Sequence, residues 1–168
     1  DYKLSRNDKG ERIISSTSVK FIVRSTTDSL ASVNIKSHAN GSSYDVARER
    51  AENINYTYDL VDNELQLDAF LTTDARNKYS EQRIEVILNL PEGSILYADE
   101  NTRKFHQNRS YTNDILDTGM EEHFLKVIED DVECMDCIED ISEAEVEIME
   151  ELNDLKEESK QLSLQVEK

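Results

Sequence analysis

Two cysteines, Cys134 and Cys137, come closer to a chemical motif than any other residues of this sequence. They are separated only by Met135 and Asp136. Two sulfurs at this spacing can form a disulfide, stay reduced as a structural pair, exchange electrons with a dithiol substrate, or supply half of the ligands of a zinc ion. The spacing by itself leaves these four alternatives open.

The residues around the cysteine pair restrict what it can do. Glu133 and Asp136 flank the sulfurs, and nearby negative charge raises the pKa of a thiol and so lowers the fraction of reactive thiolate. A structural zinc ion takes four ligands, and His106 and His123 lie at sequence distances unsuited to a compact zinc motif. We therefore predict no catalytic residue, no cofactor and no metal, with a thiol-disulfide redox module as the enzymatic alternative.

Other catalytic patterns are missing from the sequence. It has no glycine-rich phosphate loop, no helical His-Glu zinc motif and no nucleophile elbow. The three histidines, His38, His106 and His123, are scattered, and we predict that they lie on the surface. The run from Glu129 to Glu133 lacks the turn glycine and alternating ligands of a calcium loop, so we predict a solvated acidic linker there.

The charge of the chain is -18 and is concentrated towards its C-terminal end. Between Asp114 and Glu158 the only Lys or Arg residues are Lys126 and Lys156. Binding to a nucleic-acid backbone requires clustered Lys and Arg, so this distribution disfavours nucleic acid as a partner. Apolar residues make up 37% of the chain, below the roughly 45 to 50% of ordinary globular domains, which predicts that part of it lies outside a core.

Alternation of apolar and polar residues predicts strands between residues 13 and 100, after a polar lead-in over residues 1–12. Asp62-Asn63 predicts a hairpin turn, and Pro91-Glu92-Gly93 predicts a second turn. The alternating segments are Val19–Val23, Ala31–Ile35, Tyr56–Leu60, Leu65–Leu71, Ile84–Leu90 and Ile95–Tyr97.

One short helix interrupts these strands, and we predict it over residues 43–54. Ser42 or Ser43 can accept hydrogen bonds from the first helical amides. Tyr44, Ala47 and Ala51 recur at helical spacing, so we expect this face to pack on the sheet.

Beyond residue 100 the pattern changes. Residues 101–140 are predicted to be an acidic linker with a strand-like segment at 123–129 and the cysteine pair. Residues 141–168 are predicted to be an amphipathic helix whose heptad spacing is typical of a short coiled coil. This helix would mediate self-association or bind a protein partner; the alternative is a single helix that docks on its own sheet. The apolar positions that would form the contact between helices, here called the seam, are Ile141, Ile148, Leu152, Leu155, Leu162 and Val166.

The predicted fold class is therefore mainly β with one short packed helix, in an antiparallel or solenoid-like sheet, plus a C-terminal α-helix that forms a coiled coil in the self-associating alternative. A structural or adhesin-like β-solenoid fragment is a further alternative for the function. The sequence shows no fixed repeat period that would favour a solenoid.

The region from Val19 to Asp99 resembles the extracytoplasmic C-terminal region of phage-shock-protein-C-like (PspC-domain) envelope proteins of the Bacteroidota type. The resemblance is carried by the segments Gly41–Ser43, Val46–Tyr56, Gln82–Val86 and Leu90–Ser94 and by the hairpin around Asp62-Asn63, with a weaker likeness near the cysteine pair.

This resemblance implies a non-enzymatic sensing or protein-interaction region of a membrane-anchored envelope-stress protein, on the periplasmic side of the inner membrane. It implies no catalytic residues. In such an oxidising compartment the cysteine pair is expected to form a disulfide.

Overall fold

The computed structural model describes residues 2–106 and 113–137. The predicted C-terminal helix over residues 141–168, with its seam from Ile141 to Val166, lies outside the described residues. The chain divides into two compact units, Asp1–Met135 and Asp136–Lys168. All of the strands and the helix given below belong to the first unit.

The described residues contain twelve strands, arranged in four small sheets, and one α-helix. This confirms the prediction of a mainly β fold with one short helix. The elements are β1 (Tyr2–Arg6), β2 (Arg12–Ser16), β3 (Val19–Thr26), β4 (Ser32–His38), α1 (Tyr44–Glu52), β5 (Ile54–Asn55), β6 (Tyr58–Val61), β7 (Glu64–Leu67), β8 (Leu71–Asp74), β9 (Arg83–Pro91), β10 (Ile95–Tyr97), β11 (Phe124–Ile128) and β12 (Asp131–Cys134).

The sheet β3-β9-β4 contains the two longest described strands, β3 with eight residues and β9 with nine. β9 lies in the middle, antiparallel to β4 but parallel to β3 over eight residue pairs, from Val19 opposite Ile84 to Thr26 opposite Pro91. The prediction of an antiparallel sheet is therefore wrong for the pair β3 and β9, although it holds for β4 and β9. Val86 and Ile87 point to opposite faces of β9 and both are buried, so this strand is covered on both sides.

The other sheets are β1-β2-β8-β5, β10-β11-β12 and the hairpin β6-β7. None of the sheets formed by residues 2–106 and 113–137 closes into a barrel or stacks as a solenoid, so the solenoid alternative is wrong for this part of the chain. Its strands vary from two to nine residues, and this irregularity gives no constant repeat that could stack into coils.

The hairpin β6-β7 follows from its turn. Asp62 and Asn63 have φ values of 48° and 67°, and consecutive positive φ values are the property of the two-residue turns that match the twist of antiparallel strands. Tyr58 pairs with Leu67 and Val61 with Glu64, so the hairpin predicted around Asp62-Asn63 is present.

The helix α1 begins one residue later and ends two residues earlier than predicted. Ser43 caps it by accepting a hydrogen bond from the Val46 amide at 3.3 Å. A Cβ atom on Gly41 would collide with the backbone of Ala47, which explains why glycine precedes the cap. The packing face differs from the prediction because Tyr44, at the first turn, is 78% exposed.

Residues predicted as a linker contribute to the core instead. Ile115 and Leu116 belong to the same buried cluster as residues of β3, β8 and β9, and so do Leu125 and Val127 of β11, which lies within the strand-like segment predicted at 123–129. The interpretation as a linker relied on the acidic composition between residues 101 and 140. A few buried apolar side chains are nevertheless sufficient to attach such a segment to a core.

The predicted polar lead-in also differs from the structure, because it contains the strand β1. This strand pairs antiparallel with β2, with Tyr2 opposite Ser16 and Arg6 opposite Arg12. Its side chains are mostly exposed, so backbone hydrogen bonds to β2 hold it without the hydrophobic alternation on which the prediction depended.

Asp114 joins the segment after residue 112 to β3. Its buried carboxylate accepts hydrogen bonds from the Val23 amide at 2.9 Å and from the Leu116 amide at 3.2 Å. The Ile115 amide in turn donates to the Val23 carbonyl at 2.9 Å. A single side chain thus satisfies two buried backbone amides that would otherwise lose their hydration without compensation.

We expect Asp114→Ala to lower the free energy of unfolding by about 2 to 4 kcal/mol, because each buried amide left without an acceptor costs about 1 to 3 kcal/mol. Urea unfolding at neutral pH measures this change. Asp114→Asn retains a carbonyl oxygen and should lose less. The exposed Asp28 offers a matched control, since Asp28→Ala should stay within about 0.5 kcal/mol of the parent chain; equal losses for both alanine variants would contradict the role assigned to Asp114.

Candidate functional site

Both cysteines of the predicted redox or disulfide pair are disulfide-bonded. Cys134 ends β12 and is half-buried against the core, whereas Cys137 is exposed. In this oxidation state the sulfurs are not thiolates, so they can act neither as a nucleophile nor as zinc ligands until they are reduced.

A buried side-chain contact at hydrogen-bond distance connects His106 with Glu121. The His106 Nε2 atom lies 2.6 Å from Glu121 Oε1, and both side chains are shielded from solvent. The second carboxylate oxygen of Glu121 accepts a hydrogen bond from the Gly119 amide at 2.8 Å. The prediction that His106 lies on the surface is wrong, because packing of the segment around Glu121 encloses the ring.

The environment of Glu121 favours its charged form. Burial acts to raise the pKa of this carboxyl, but hydrogen bonds from its own amide, from the Gly119 amide and from His106, together with the charge interaction with His106, lower the pKa below its ordinary value of 4.5. Hydrogen bonds to the carboxylate thus outweigh desolvation. We interpret the pair as a device that fixes the loop at residues 119–121.

An open pocket of about 360 Å³ lies where the parallel strands β3 and β9 begin. Lys20, Arg83 and Lys104 line it together with Glu81. Arg83 lies 3.7 Å from Glu85, and the Lys104 ammonium lies 5.1 Å from the Phe105 ring centroid. No group in this lining is arranged as a nucleophile with an adjacent base, so we assign no chemistry to the pocket.

The outer side of the sheet β10-β11-β12 carries large apolar side chains that are open to solvent. Ile95 is 60% exposed, Tyr97 48% and Phe124 52%, and Ile128 and Met135 are also exposed. We call these five residues the aromatic face. Isolated exposed apolar residues are common, but a contiguous group on one side of a sheet indicates an interaction surface.

The strand register explains why these residues lie together. Tyr97 is opposite Phe124 and Ile95 is opposite Lys126, and the Met135 amide donates to the Phe124 carbonyl at 2.9 Å. Opposite residues project from the same side of a sheet. The rings of Tyr97 and Phe124 are in contact, with their centroids 5.2 Å apart.

The other side of this sheet faces the core. Leu125 and Val127 alternate with the residues of the aromatic face along β11 and are fully buried, and Val132 of β12 is also buried. The buried side therefore anchors the sheet, and the residues of the aromatic face point away from the core.

A protein-family model described as "ToastRack found in some PspC" matches residues 5–140. The chain belongs to this ToastRack family. No curated protein and no solved structure matched the chain. The match supports the predicted resemblance to PspC-like proteins at the level of the domain, and it extends well beyond Val19 to Asp99, from β1 to the cysteine pair.

Neither α1 nor the short 3-10 turns in residues 2–106 and 113–137 have the length and hydrophobicity that a bilayer-spanning helix requires.

Sequence reasoning missed the aromatic face of the ToastRack domain, although part of the signal was present. Phe124, Leu125, Val127 and Ile128 were recognisable as an apolar cluster, but the cluster offers apolar residues to both sides of a strand. Only the packing of Leu125 and Val127 in the core shows that Phe124 and Ile128 point outwards.

We expect Glu121→Gln to lower the free energy of unfolding at neutral pH by about 1 to 3 kcal/mol, because it weakens the buried interaction with His106. The folded-state pKa of Glu121 is lowered, so its stabilising contribution is fully present above pH 4.5 and is lost as the pH falls through the folded-state pKa. The difference between variant and parent should therefore shrink below pH 4.5. Urea unfolding across this pH range tests the prediction.

The exposed Glu92 provides a control for this experiment. Glu92→Gln should change stability by less than about 0.5 kcal/mol throughout the range. A loss for Glu121→Gln that is the same at every pH would show that the charge of this carboxyl does not contribute.

Proposed function

We propose that this ToastRack domain is a non-enzymatic sensing or protein-interaction region of a membrane-anchored, PspC-like envelope-stress protein. The observation that carries the proposal is the aromatic face, with Tyr97 and Phe124 in contact and each about half exposed. Tyr, Phe and Met are enriched in protein interfaces, where they contribute large contact areas. The family match to domains found in some PspC proteins supports the envelope-stress context.

The disulfide state of Cys134 and Cys137 supports a location on the extracytoplasmic side of the inner membrane. Disulfides persist in oxidising compartments such as the periplasm and are rare in the reducing cytosol. A domain in that position can contact envelope proteins directly, and the membrane anchor of its parent protein would transmit the contact.

A photo-crosslinking amino acid placed at Tyr97 of the whole parent protein, in its own host, tests the contact role. We expect a discrete adduct with another protein from position 97, because this side chain lies in the aromatic face. The matched control is Tyr44, which is 78% exposed on α1 and should give no such adduct. Failure to form an adduct at position 97, or identical adducts from both positions, would contradict the proposal.

A thiol-disulfide redox module is the second candidate function, and the exposure of Cys137 is the observation that favours it. Thiol-disulfide exchange requires an accessible sulfur, but it also requires a thiolate, which the acidic residues Glu133 and Asp136 disfavour.

We expect the protein to be inactive in an insulin-reduction assay supplied with dithiothreitol, with no change on Cys137→Ser. Catalytic turnover that Cys137→Ser abolishes would establish the redox function and overturn the non-enzymatic proposal. The rate with dithiothreitol alone provides the reference.

A further inference from the structure

The hairpin β6-β7 is the one sheet of the described residues that has only two strands. Leu65 and Leu67 of β7 are partly buried and pack against the core, whereas every residue of β6 is exposed. A two-stranded ribbon is marginally stable in water, and a further strand that covers its apolar side stabilises it. β6 is therefore the edge at which a third strand would extend this sheet.

The backbone of β6 presents unused hydrogen-bonding groups at this edge. The Asp68 amide donates to the Thr57 carbonyl at 3.3 Å across the hairpin. Bonded and non-bonded pairs alternate along an antiparallel ladder, so the next residue, Tyr58, and then Leu60 occupy non-bonded positions. Their N–H and C=O groups point away from β7, and no described residue outside the hairpin forms a hydrogen bond with these groups.

The side chains of the same two residues extend the apolar side of the hairpin. Tyr58 is opposite Leu67 and Leu60 is opposite Leu65, and opposite residues project from the same side of a sheet. This side is partly buried along β7, but Tyr58 is 42% exposed and Leu60 is 67% exposed along β6. A strand added at this edge would cover both side chains with its own apolar residues.

The other side of the hairpin and its turn are acidic. Asp59 and Glu64 share that side, and Asp62 lies in the turn. Residues 51–75 contain no Lys or Arg. Glu64 accepts a hydrogen bond from Gln66 at 2.8 Å, but none of the three carboxylates forms an ion pair with a described residue. This segment therefore presents negative charge without a cation of its own.

The charge and the open backbone together restrict what can occupy this edge. A second copy would bring the same acidic hairpin and a net charge of -18, so the two chains would repel each other on approach. A helix satisfies its backbone groups internally, so it would leave the edge of β6 unbonded. An extended segment with apolar residues on one side and Lys or Arg on the other matches the backbone, the apolar side and the charge.

We propose that the edge of β6 binds an extended segment of another protein in which apolar residues alternate with Lys or Arg. The segment adds a third strand to the hairpin and forms backbone hydrogen bonds with Tyr58 and Leu60. Its apolar side chains pack beside these two residues, and its basic side chains lie on the side of Asp59 and Glu64. The backbone hydrogen bonds contribute affinity, and the alternating side chains contribute specificity.

This edge belongs to a different sheet from the aromatic face, so the inference goes beyond the interaction function proposed for that face. Crosslinking from Tyr97 tests one surface, and peptide binding to β6 tests the other. A failure of either experiment is therefore distinguishable from a failure of the other.

Three synthetic peptides of equal length test the side-chain pattern. The first alternates Val and Lys, the second alternates Val and Glu, and the third has the composition of the first with its Val and Lys residues in separate blocks. Fluorescence anisotropy of the labelled peptides with the full chain, at about 0.15 M ionic strength to screen distant charges, measures their dissociation constants. We expect the alternating Val-Lys peptide to bind about tenfold or more tightly than the others, because only this peptide has positive charge on one side of a strand and apolar residues on the other.

Substitutions in β6 separate this site from general attraction to an acidic protein. Leu60→Ser should weaken binding of the alternating Val-Lys peptide several-fold, whereas Leu30→Ser should leave it unchanged, because Leu30 is 78% exposed in the loop between β3 and β4. Asp59→Lys should also weaken binding several-fold, whereas Asp28→Lys, in the same loop, should have only the smaller effect of a change in net charge. The two residues replaced in β6 are exposed, so we expect both variants to keep the fold.

N-methylated peptides test the backbone contribution without any change to the protein. Successive amides of a strand point to opposite edges, so methylation of the Val amides and methylation of the Lys amides remove donors from opposite edges of the added strand. We expect one of these two methylated peptides to lose binding and the other to retain it. Equal affinities of the two would overturn strand addition.

Three further results would overturn the inference. The first is an alternating Val-Lys peptide that binds no more tightly than the block peptide. The second is binding that Phe124→Ser abolishes and Leu60→Ser leaves unchanged, which would locate the peptide on the aromatic face. The third is a concentration-dependent mass of the full chain that Leu60→Ser abolishes, which would identify a second copy as the occupant of the edge.

Discussion

The parallel pairing of β3 with β9 is the constraint on which the rest of the fold depends. Antiparallel neighbours can be joined by a tight turn, but parallel strands require a crossover. In this chain β4, α1 and the strands β5 to β8 all lie between the two partners. β4 returns to pair with the free edge of β9, so β9 gains a neighbour on each side. Val86 and Ile87, on the two faces of this central strand, are both buried.

This central sheet also positions the aromatic face. In the turn that follows β9, the Gly93 amide donates to the Val127 carbonyl at 2.8 Å, and the Val127 amide donates to the Ser94 carbonyl at 2.9 Å. The Asp130 amide donates to Ser25 Oγ at 3.0 Å. β11 is therefore fixed to the ends of both β3 and β9. Because alternate residues of a strand point to opposite sides, burying Val127 requires Ile128 to face solvent.

The buried polar groups of the domain act on its backbone. Asp114 accepts from two amides, and the Gln82 side chain accepts from the Ser80 amide at 2.7 Å and donates to the Lys78 carbonyl at 2.8 Å. Buried polar side chains require hydrogen-bond partners. Here the partners are backbone groups, so each hydrogen bond also holds a backbone segment in place. The exposed group that we propose as an interaction surface, the aromatic face, is by contrast mainly apolar.

The sequence by itself determined the local elements: the Asp62-Asn63 hairpin, the serine cap of α1 and the apolar run of β9, each set by residues close together in the chain. Only the tertiary structure decided that β3 runs parallel to β9, that His106 is buried against Glu121 and that Phe124 faces solvent. A twofold alternation shows that one side of a strand is buried, but it does not identify the neighbouring strand. In β11, Phe124 and Leu125 are both apolar, so the sequence does not distinguish the two sides of the strand. Long-range packing decides which side is buried, because Leu125 lies in the core and Phe124 does not.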